Sequence, residues 1–395
     1  MATTNRDNSP KILHIVHDEK FIDIAYRYFE DVFPNCNSFI AIGHQGGCKY
    51  IKETPVKRIN RKQVFRLVIG SYTRQFDLVV FHTFNYRYEH LLALFLSRHI
   101  PLVWIGWGYD YYDLISKGDL NLLLKPLTRQ VKEQVRQDMD NVKDKNDAIK
   151  SFVKRILFPR LKKLATRRID FFSPVIFEDY KLVAEAAPWM RAQYIPWNYG
   201  VTFQEKLPEI SNSSDHNILV GNSSSFENNH LDVFEQIAGF DFGDRKIICP
   251  LSYGNSEYKK YVLEKGYHLF GDKFIPLEEF TSLQEYISVL STCSIFLMNH
   301  LRQQAAGNIA LAFLVGGKVL LDTRNPLFDH YKNEGFKIFP INEGGNRHWL
   351  DVLSYEEKQN NRELILKRLD RKRILDKTKN LVQTALCGGK DKEIS

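Results

Sequence analysis

The chain has 395 residues, 44% of them hydrophobic and 13% aromatic, too many for one ordinary domain and enough apolar material for two packed cores. Its 55 Lys and Arg against 47 Asp and Glu leave a net charge of +8. That balance suits phosphates, nucleotides or anionic lipid as partners, is too mild for a coat of nucleic acid, and excludes histone-like and collagen-like chains. The five cysteines (Cys36, Cys48, Cys249, Cys293, Cys387) include no C-x-x-C pair and no histidine at zinc-ligand spacing. No apolar run approaches the roughly 20 residues of a membrane span, and Met1–Pro10 lacks a signal-like core, so a reduced, cytosolic chain is expected.

Runs of β-branched and aromatic residues alternate with stretches of helical period, the pattern of βαβ units around a parallel sheet. Strands are expected at Lys11–Val16, Ser38–Gly43, Asp77–Phe84, Pro101–Trp107, Asp170–Val175 and Gln193–Trp197, with helices such as Phe21–Asp31, Gln63–Arg74 and Tyr86–Ser97 between them. Residues 1–204 thus read as one Rossmann-like domain. The polar stretch Glu205–His216 reads as a linker. A second alternation over residues 217–345 places strands at Asn217–Val220, Lys246–Leu251, His268–Phe270, Ser294–Asn299, Lys318–Asp322 and Lys337–Pro340. Residues 346–395 are charged and helical in pattern, closing helices that fray into a tail. The fold class is α/β, two Rossmann-like domains, with ligands expected in a cleft at the carboxyl ends of the strands.

Several segments could carry chemistry there. Ile218–Val220 runs into Gly221, Asn222 and Ser223, and Asn229 and His230 then open a helix. Backbone N–H groups at such a turn can hold a phosphate or sugar oxygen; the plainer reading is a loop with an Asn cap. Arg302, Gln303 and Gln304 precede Gly307 and Asn308 at the start of an apolar helix. A guanidinium beside a helix start suits a diphosphate, the alternative being a capping arginine. Ser252 and Tyr253 end another strand of the same domain.

In the first domain, Trp104–Asp113 leaves a buried strand as a burst of aromatics, glycines and two carboxylates. Aromatic faces stack on sugars, and a carboxylate here could take a proton from a hydroxyl; Asp110 is the candidate base, with Asp113 and His82 as competitors. His17, Asp18 and Lys20 follow the first strand and form either a cleft floor or a merely polar loop. Lys143–Arg168 holds ten Lys and Arg against two Asp, interleaved with Ile, Leu, Val and Phe. Such a stretch can lie on an anionic membrane surface, or be a core-facing helix with a solvated back. Asp138-Met139-Asp140 is formally D-x-D but falls in a polar helical stretch, and Asp241-Phe242-Gly243 lacks the rest of a kinase; a P-loop is absent.

Three blocks carry a family likeness: Trp107-Gly108-Tyr109-Asp110-Tyr111-Tyr112, Ile218–Ser223 running on to Asn229-His230, and Arg302–Gly307. With these the sequence resembles the 4-acetamido-4,6-dideoxygalactosyl (Fuc4NAc) transferases of enterobacterial common antigen synthesis, glycosyltransferase family 56. The resemblance implies a GT-B fold, with two domains facing each other across a cleft. It implies a dTDP-activated amino-dideoxyhexose held by Gly221, Asn222, Ser223, Asn229, His230, Ser252, Tyr253, Arg302, Gln303, Gln304, Gly307 and Asn308. A polyprenyl-diphosphate-linked saccharide would be approached by the first domain, with Arg302 and the helix start offsetting the charge on the leaving diphosphate; joined to the residue reading above, this gives His17, Trp107, Gly108, Asp110 and Tyr112 on the acceptor side and Asp110, Arg302 and His82 as the catalytic set. It further implies no cofactor and no essential metal, no nucleic-acid partner, a peripheral place on the inner face of the bacterial inner membrane, and a pathway that makes common antigen or O-antigen. The rivals are a GT-B transferase, epimerase or hydrolase using a UDP- or GDP-sugar, and a noncatalytic sugar- or nucleic-acid-binding protein.

Overall fold

The computed structural model describes residues 9–43, 47–69, 71–140, 157–199, 209–210, 216–342 and 348–390. The chain divides into two compact units, one made of Met1–Gly118, Ala148–Thr202 and Leu369–Ser395, the other of Asp119–Asp147 and Phe203–Arg368.

The first unit is built on seven strands: β1 (Ile12–Val16), β2 (Asn37–Ile42), β3 (Val56–Ile59), β4 (Leu78–Phe81), β5 (Leu102–Ile105), β6 (Phe171–Ser173) and β7 (Gln193–Tyr194). They pair in parallel in the order β3-β2-β1-β4-β5-β6-β7. Central strands are buried on both faces, which is why β1, β4 and β5 read as nearly unbroken apolar runs rather than alternating ones. Helix Ile22–Val32 offers Ile22, Ala25 and Phe29 at helical spacing to one side of this sheet. The terminal helix Arg371–Lys390 packs against it, burying Leu381, Val382 and Ala385 in the same core. Trp197 Nε1 donates to Thr378 Oγ1 at 2.8 Å, fixing that helix to the end of the sheet.

The second unit holds β8 (Asn217–Val220), β9 (Ile247–Pro250), β10 (Phe274–Leu277), β11 (Cys293–Met298), β12 (Lys318–Leu321) and β13 (Phe339–Pro340), all parallel, in the order β10-β9-β8-β11-β12-β13. In both sheets, successive strands run outward one way from the first (β1, β8) and the next (β4, β11) starts on its other side. Connections diverge at that junction, so the carboxyl ends of β1 and β4, and of β8 and β11, mark a crevice where ligands of open α/β sheets bind.

Several expectations are corrected. Strand β3 was not foreseen, because VKRI has two exposed charged residues and little apolar content. The strand expected at His268–Phe270 is the last turn of helix Ser256–Phe270, and the strand follows at β10. The domain expected over residues 1–204 loses Asp119–Asp147 to the second unit. Asp232 explains the attachment: it accepts from the backbone N–H groups of Leu127 and Thr128 and from Thr128 Oγ1 at 2.7–3.0 Å, capping helix Pro126–Asp140 from within the second unit. The closing segment 346–395 also divides. Helix Tyr355–Arg368 stays with the second unit, where the buried Asn361 pairs both ways with the Lys337 backbone, whereas Arg371–Lys390 joins the first. Most of the expected linker 205–216 lies outside the described residues.

Candidate active site

In the second unit the turn after β8 has the backbone geometry its glycine demands. Gly221 has φ +69, and a Cβ there would stand 2.6 Å from His230 Nε2 and 2.7 Å from Asn228 Oδ1. Asn228 is the hub. Its Oδ1 accepts from Asn222 N at 2.9 Å and His300 Nε2 at 2.8 Å, while its Nδ2 donates to Ser223 Oγ and Ser225 Oγ. Asn222 joins three strand ends, donating to Tyr253 OH at 3.0 Å and accepting from Gln304 Nε2 at 3.1 Å. Gly254, at φ +125, lets the loop after β9 press against Ser224; a Cβ would fall 2.6 Å from the Ser224 backbone. Tyr253 keeps half of its surface exposed above this floor, and Ser252 is half-buried beside it.

The loop after β11 is pinned from below by the buried Asn325, whose Nδ2 donates to the carbonyls of His300 (3.1 Å) and Arg302 (2.6 Å). Asn229 and Asn299 donate to each other's backbone carbonyls, locking the turn after β8 to that after β11. Lys125 then places a buried ammonium against Asn299 Oδ1 and 2.9 Å from Asp322 Oδ2. Burial opposes ionisation of Asp322, but Arg324 and Lys125 outweigh it and hold the carboxyl below its ordinary value. Arg302 is half-buried, with Nη1 on the Gln303 carbonyl. Helix Ala306–Leu314 starts behind Ala305, a non-glycine residue at φ +59. Gly307 in its first turn is exposed, and a Cβ there would meet nothing within 4 Å, so the helix start is open; Asn308 follows, half-buried.

Around this junction lie buried polar atoms that the described residues leave unsatisfied. His300 must carry its proton on Nε2 to donate to Asn228, so its Nδ1 is a bare lone pair, and it has no partner. Both ring nitrogens of His230 and Oε1 of Gln304 also lack one. Burial keeps the His230 ring neutral, its pKa lowered to about 3, and that of His300 well below the usual value.

The first unit treats its expected catalytic residues differently. Asp110 is fully buried, and its carboxylate accepts from Trp104 Nε1 and Trp107 N at 2.8 Å and Phe84 N at 3.2 Å. Burial raises its pKa, yet both oxygens are spent on tying the ends of β4 and β5 together, so the structure reassigns Asp110 from base to brace. His82, the other expected catalytic group, is corrected likewise. Asn37 Oδ1 can only accept, so His14 donates from Nε2; His82 Nε2–H then donates to His14 Nδ1 (2.9 Å), Tyr199 OH to His82 Nδ1 (2.7 Å), and Trp107 Nε1–H to Tyr199 OH (2.8 Å). Every hydrogen is assigned and neither histidine has a spare nitrogen. Burial lowers both pKa values, which keeps the rings neutral.

Tyr112 is also structural: its hydroxyl, with that of Tyr111, donates to the buried Asp179. Gly108 has φ +99 and starts the turn, while Trp107 is fixed through both its backbone and its indole. Lys162, counted with the basic stretch, is buried and bonds Asp113 at 2.7 and 2.9 Å and the Asp110 carbonyl at 2.6 Å. Residues 141–156 of that stretch lie outside the described residues. Asp138 is a solvated helix residue accepting from Gln134, as read from sequence. His17 is nearly buried beside Glu89.

Residues 144–348, more than half of the chain, match the family described as 4-alpha-L-fucosyltransferase, glycosyl transferase group 56. The chain belongs to glycosyltransferase family 56. Among solved structures, this family 56 glycosyltransferase is similar to Anabaena Alr3699/HepE, crystallised with UDP and glucose, at 14% identity over 95% of this chain and 100% of that one, TM-score 0.62. It is similar to sucrose-phosphate synthase from Thermosynechococcus elongatus at 12% identity over 96% and 100%, TM-score 0.60. The lipopolysaccharide outer core galactosyltransferase WaaB, in its apo form, matches at 10% identity over 97% and 99%, TM-score 0.52. These likenesses give the fold, GT-B, from two Rossmann-like domains. Sequence reasoning found the blocks of the second unit but missed Asn228, Asn299, His300 and Lys125. The Asn-Asn-His run was the available signal for the hub; nothing in sequence tied Lys125 to β11. Among the described residues no group of three His, Cys, Asp or Glu is placed to hold a metal, and no helix is long and apolar enough to cross a membrane.

Proposed function

We propose that this glycosyltransferase moves a 4-amino-4,6-dideoxyhexose of the Fuc4NAc kind from a dTDP-sugar to a polyprenyl-diphosphate-linked saccharide in bacterial surface polysaccharide synthesis, either common antigen or O-antigen. The observation that carries the donor half of this reading is the set of unsatisfied buried atoms at the β8/β11 junction, His230 Nδ1 and Nε2, His300 Nδ1 and Gln304 Oε1. Buried polar groups are nearly always paired, so four such atoms beneath the junction call for partners that a bound donor's hydroxyl and imide groups, or water held under it, would supply. Arg302 and the open start of helix Ala306–Leu314 supply positive charge for a diphosphate and for the charge that grows on it as the sugar leaves. With that charge supplied by the protein, the reaction is proposed to need no metal. HepE, of the same fold, was crystallised with UDP and glucose, which supports a nucleotide-sugar donor.

The acceptor and the membrane rest on the family resemblance. On the described part of the basic stretch, Leu157 and Leu164 are exposed beside Arg160, Lys163 and Arg167, which supports a peripheral place on an anionic inner-membrane face. Calorimetric titration with dTDP, UDP and GDP, in buffer with EDTA, tests the donor. The expected result is binding of dTDP at least ten-fold tighter than UDP or GDP, unchanged by EDTA. Preference for UDP or GDP overturns the dTDP assignment, and dependence on a divalent ion overturns the metal-free one.

A further inference from the structure

We infer that His17, held by Glu89, is the base that takes the proton from the acceptor hydroxyl; the assignment rests on the transferase reading above. His17 is the first residue past β1, at the β1/β4 junction of the first unit. Its Nε2 lies 2.5 Å from Glu89 Oε1. The fully buried Glu89 cannot turn away, because its Oε2 accepts from the backbone N–H groups of Asn85 and Tyr86, both at 2.8 Å. A carboxylate oxygen facing Nε2 fixes the proton there and leaves Nδ1 as the lone pair. The ring is held by Tyr86, 4.3 Å away between centroids, and by Tyr88 at 5.8 Å.

Four of the titratable groups nearby are already committed. His14 and His82 are used up in the chain to Tyr199, Asp110 accepts three N–H groups, and Asp18 accepts from the backbone of Lys49, Tyr50 and Ile51. Among the described residues, His17 Nδ1 has no hydrogen-bond partner, and it is not among the atoms sealed from solvent. A base must keep such a lone pair within reach of solvent and substrate. In the step assigned to it, the acceptor oxygen bonds to the anomeric carbon and its proton passes to His17 Nδ1. The bond from that carbon to the diphosphate oxygen breaks, and the nucleoside diphosphate leaves with the electron pair. Glu89 is a positioning residue, which orients the ring and stabilises the imidazolium.

The test uses the full chain with dTDP-4-acetamido-4,6-dideoxygalactose and a polyprenyl-diphosphate-linked disaccharide, reading kcat, donor KM and dTDP affinity. His17→Ala should lower kcat by about 10²–10⁴-fold, leave dTDP affinity within about two-fold, and recover about ten-fold of its rate on addition of imidazole. His17→Gln, which retains an N–H for Glu89, should be as slow if the alanine variant is poorly folded. Glu89→Gln turns an amide N–H toward Nε2 and forces the proton onto Nδ1, so kcat should fall about 10²-fold or more at unchanged donor KM. Transfer by His17→Ala within three-fold of wild type overturns the inference, as does a loss of rate that imidazole does not restore and that dTDP affinity shares. A wild-type protein that neither binds dTDP nor transfers this sugar overturns the donor reading itself, and is told apart by the wild-type titration alone.

Discussion

The β1/β4 and β8/β11 junctions are the same topological feature treated in opposite ways. At the first, most of the buried polar groups are closed on one another: two histidines, a tyrosine, a tryptophan and an asparagine form one directed chain and Asp110 accepts three N–H groups, while His90 Nδ1 and Asn198 Nδ2 of the same unit lack a partner among the described residues. At the second, the hydrogen bonds organise the backbone but leave His230, His300 and Gln304 with unsatisfied atoms. A closed network stabilises and shapes; an open one leaves unmet hydrogen bonds for a ligand, or water held beneath it, to satisfy. The contrast assigns shape to the interior of the first junction, with His17 at its rim, and binding to the second.

The largest expected effect tests what the two junctions share. His14, His82 and His90 in the first unit, and His230 and His300 in the second, are buried, and burial lowers each pKa, to about 3 for His14 and His230 and about 4 for His90. A folded-state pKa below the unfolded value means that the unfolded chain takes up the proton first. Stability is therefore full above pH ~6.5 and is lost as the pH falls below it, by about 1.4 kcal/mol per pH unit for each ring. Thermal unfolding should shift steeply downward between about pH 6.5 and pH 4.5. The first unit carries three of the five rings and four of the five tryptophans, so tryptophan fluorescence should report acid unfolding at a higher pH than nucleotide binding is lost. A melting temperature flat across that range would break the picture of buried neutral rings in both units.

Next in size is a pair of substitutions, one at each junction. Asn228→Ala strips partners from Asn222 N and His300 Nε2 in the interior and should cost about 3 kcal/mol, measured by urea unfolding, together with nucleotide binding. Asp110→Asn sets an amide N–H against one of three N–H donors and should cost about 2–3 kcal/mol while dTDP affinity is kept. Full stability in Asp110→Asn, with transfer abolished, would return Asp110 to the role of base.

The difference between the junctions also explains what could be read from sequence. Strands such as β4, β5 and β11 announce themselves because burial on both faces forces apolar runs, whereas β3 at a sheet edge keeps Lys57 and Arg58 exposed and is silent. Blocks of Gly, Ser, Asn and Arg at strand ends marked the turns that the second unit gathers at its β8/β11 junction, since backbone turns and polar ligands both select those types. In the first unit the same logic misassigned Asp110, His82 and Tyr112, because a buried brace and a catalytic group draw on the same residues and differ only in how many partners they already have. Pairings between residues far apart in sequence, such as Thr128 with Asp232 or Lys125 with Asp322, carry no local signal at all. They moved Asp119–Asp147 from one unit to the other.

The smallest effect separates the two uses of a glycine. At Gly221 a methyl group would strike His230 and Asn228, but at Gly307 it would meet nothing, so the protein's own packing does not require glycine there. Gly307 lacks the positive φ that would penalise alanine, and it sits in the first turn of helix Ala306–Leu314. Gly307→Ala should therefore stabilise the fold by about 0.5 kcal/mol through the loss of unfolded-state freedom. If a diphosphate approaches this helix start, the added methyl group occupies that space, and dTDP affinity should fall several-fold while the melting temperature rises. A variant that gains stability and binds dTDP as tightly as wild type would move the diphosphate away from the helix start and leave Arg302 to hold it from the loop.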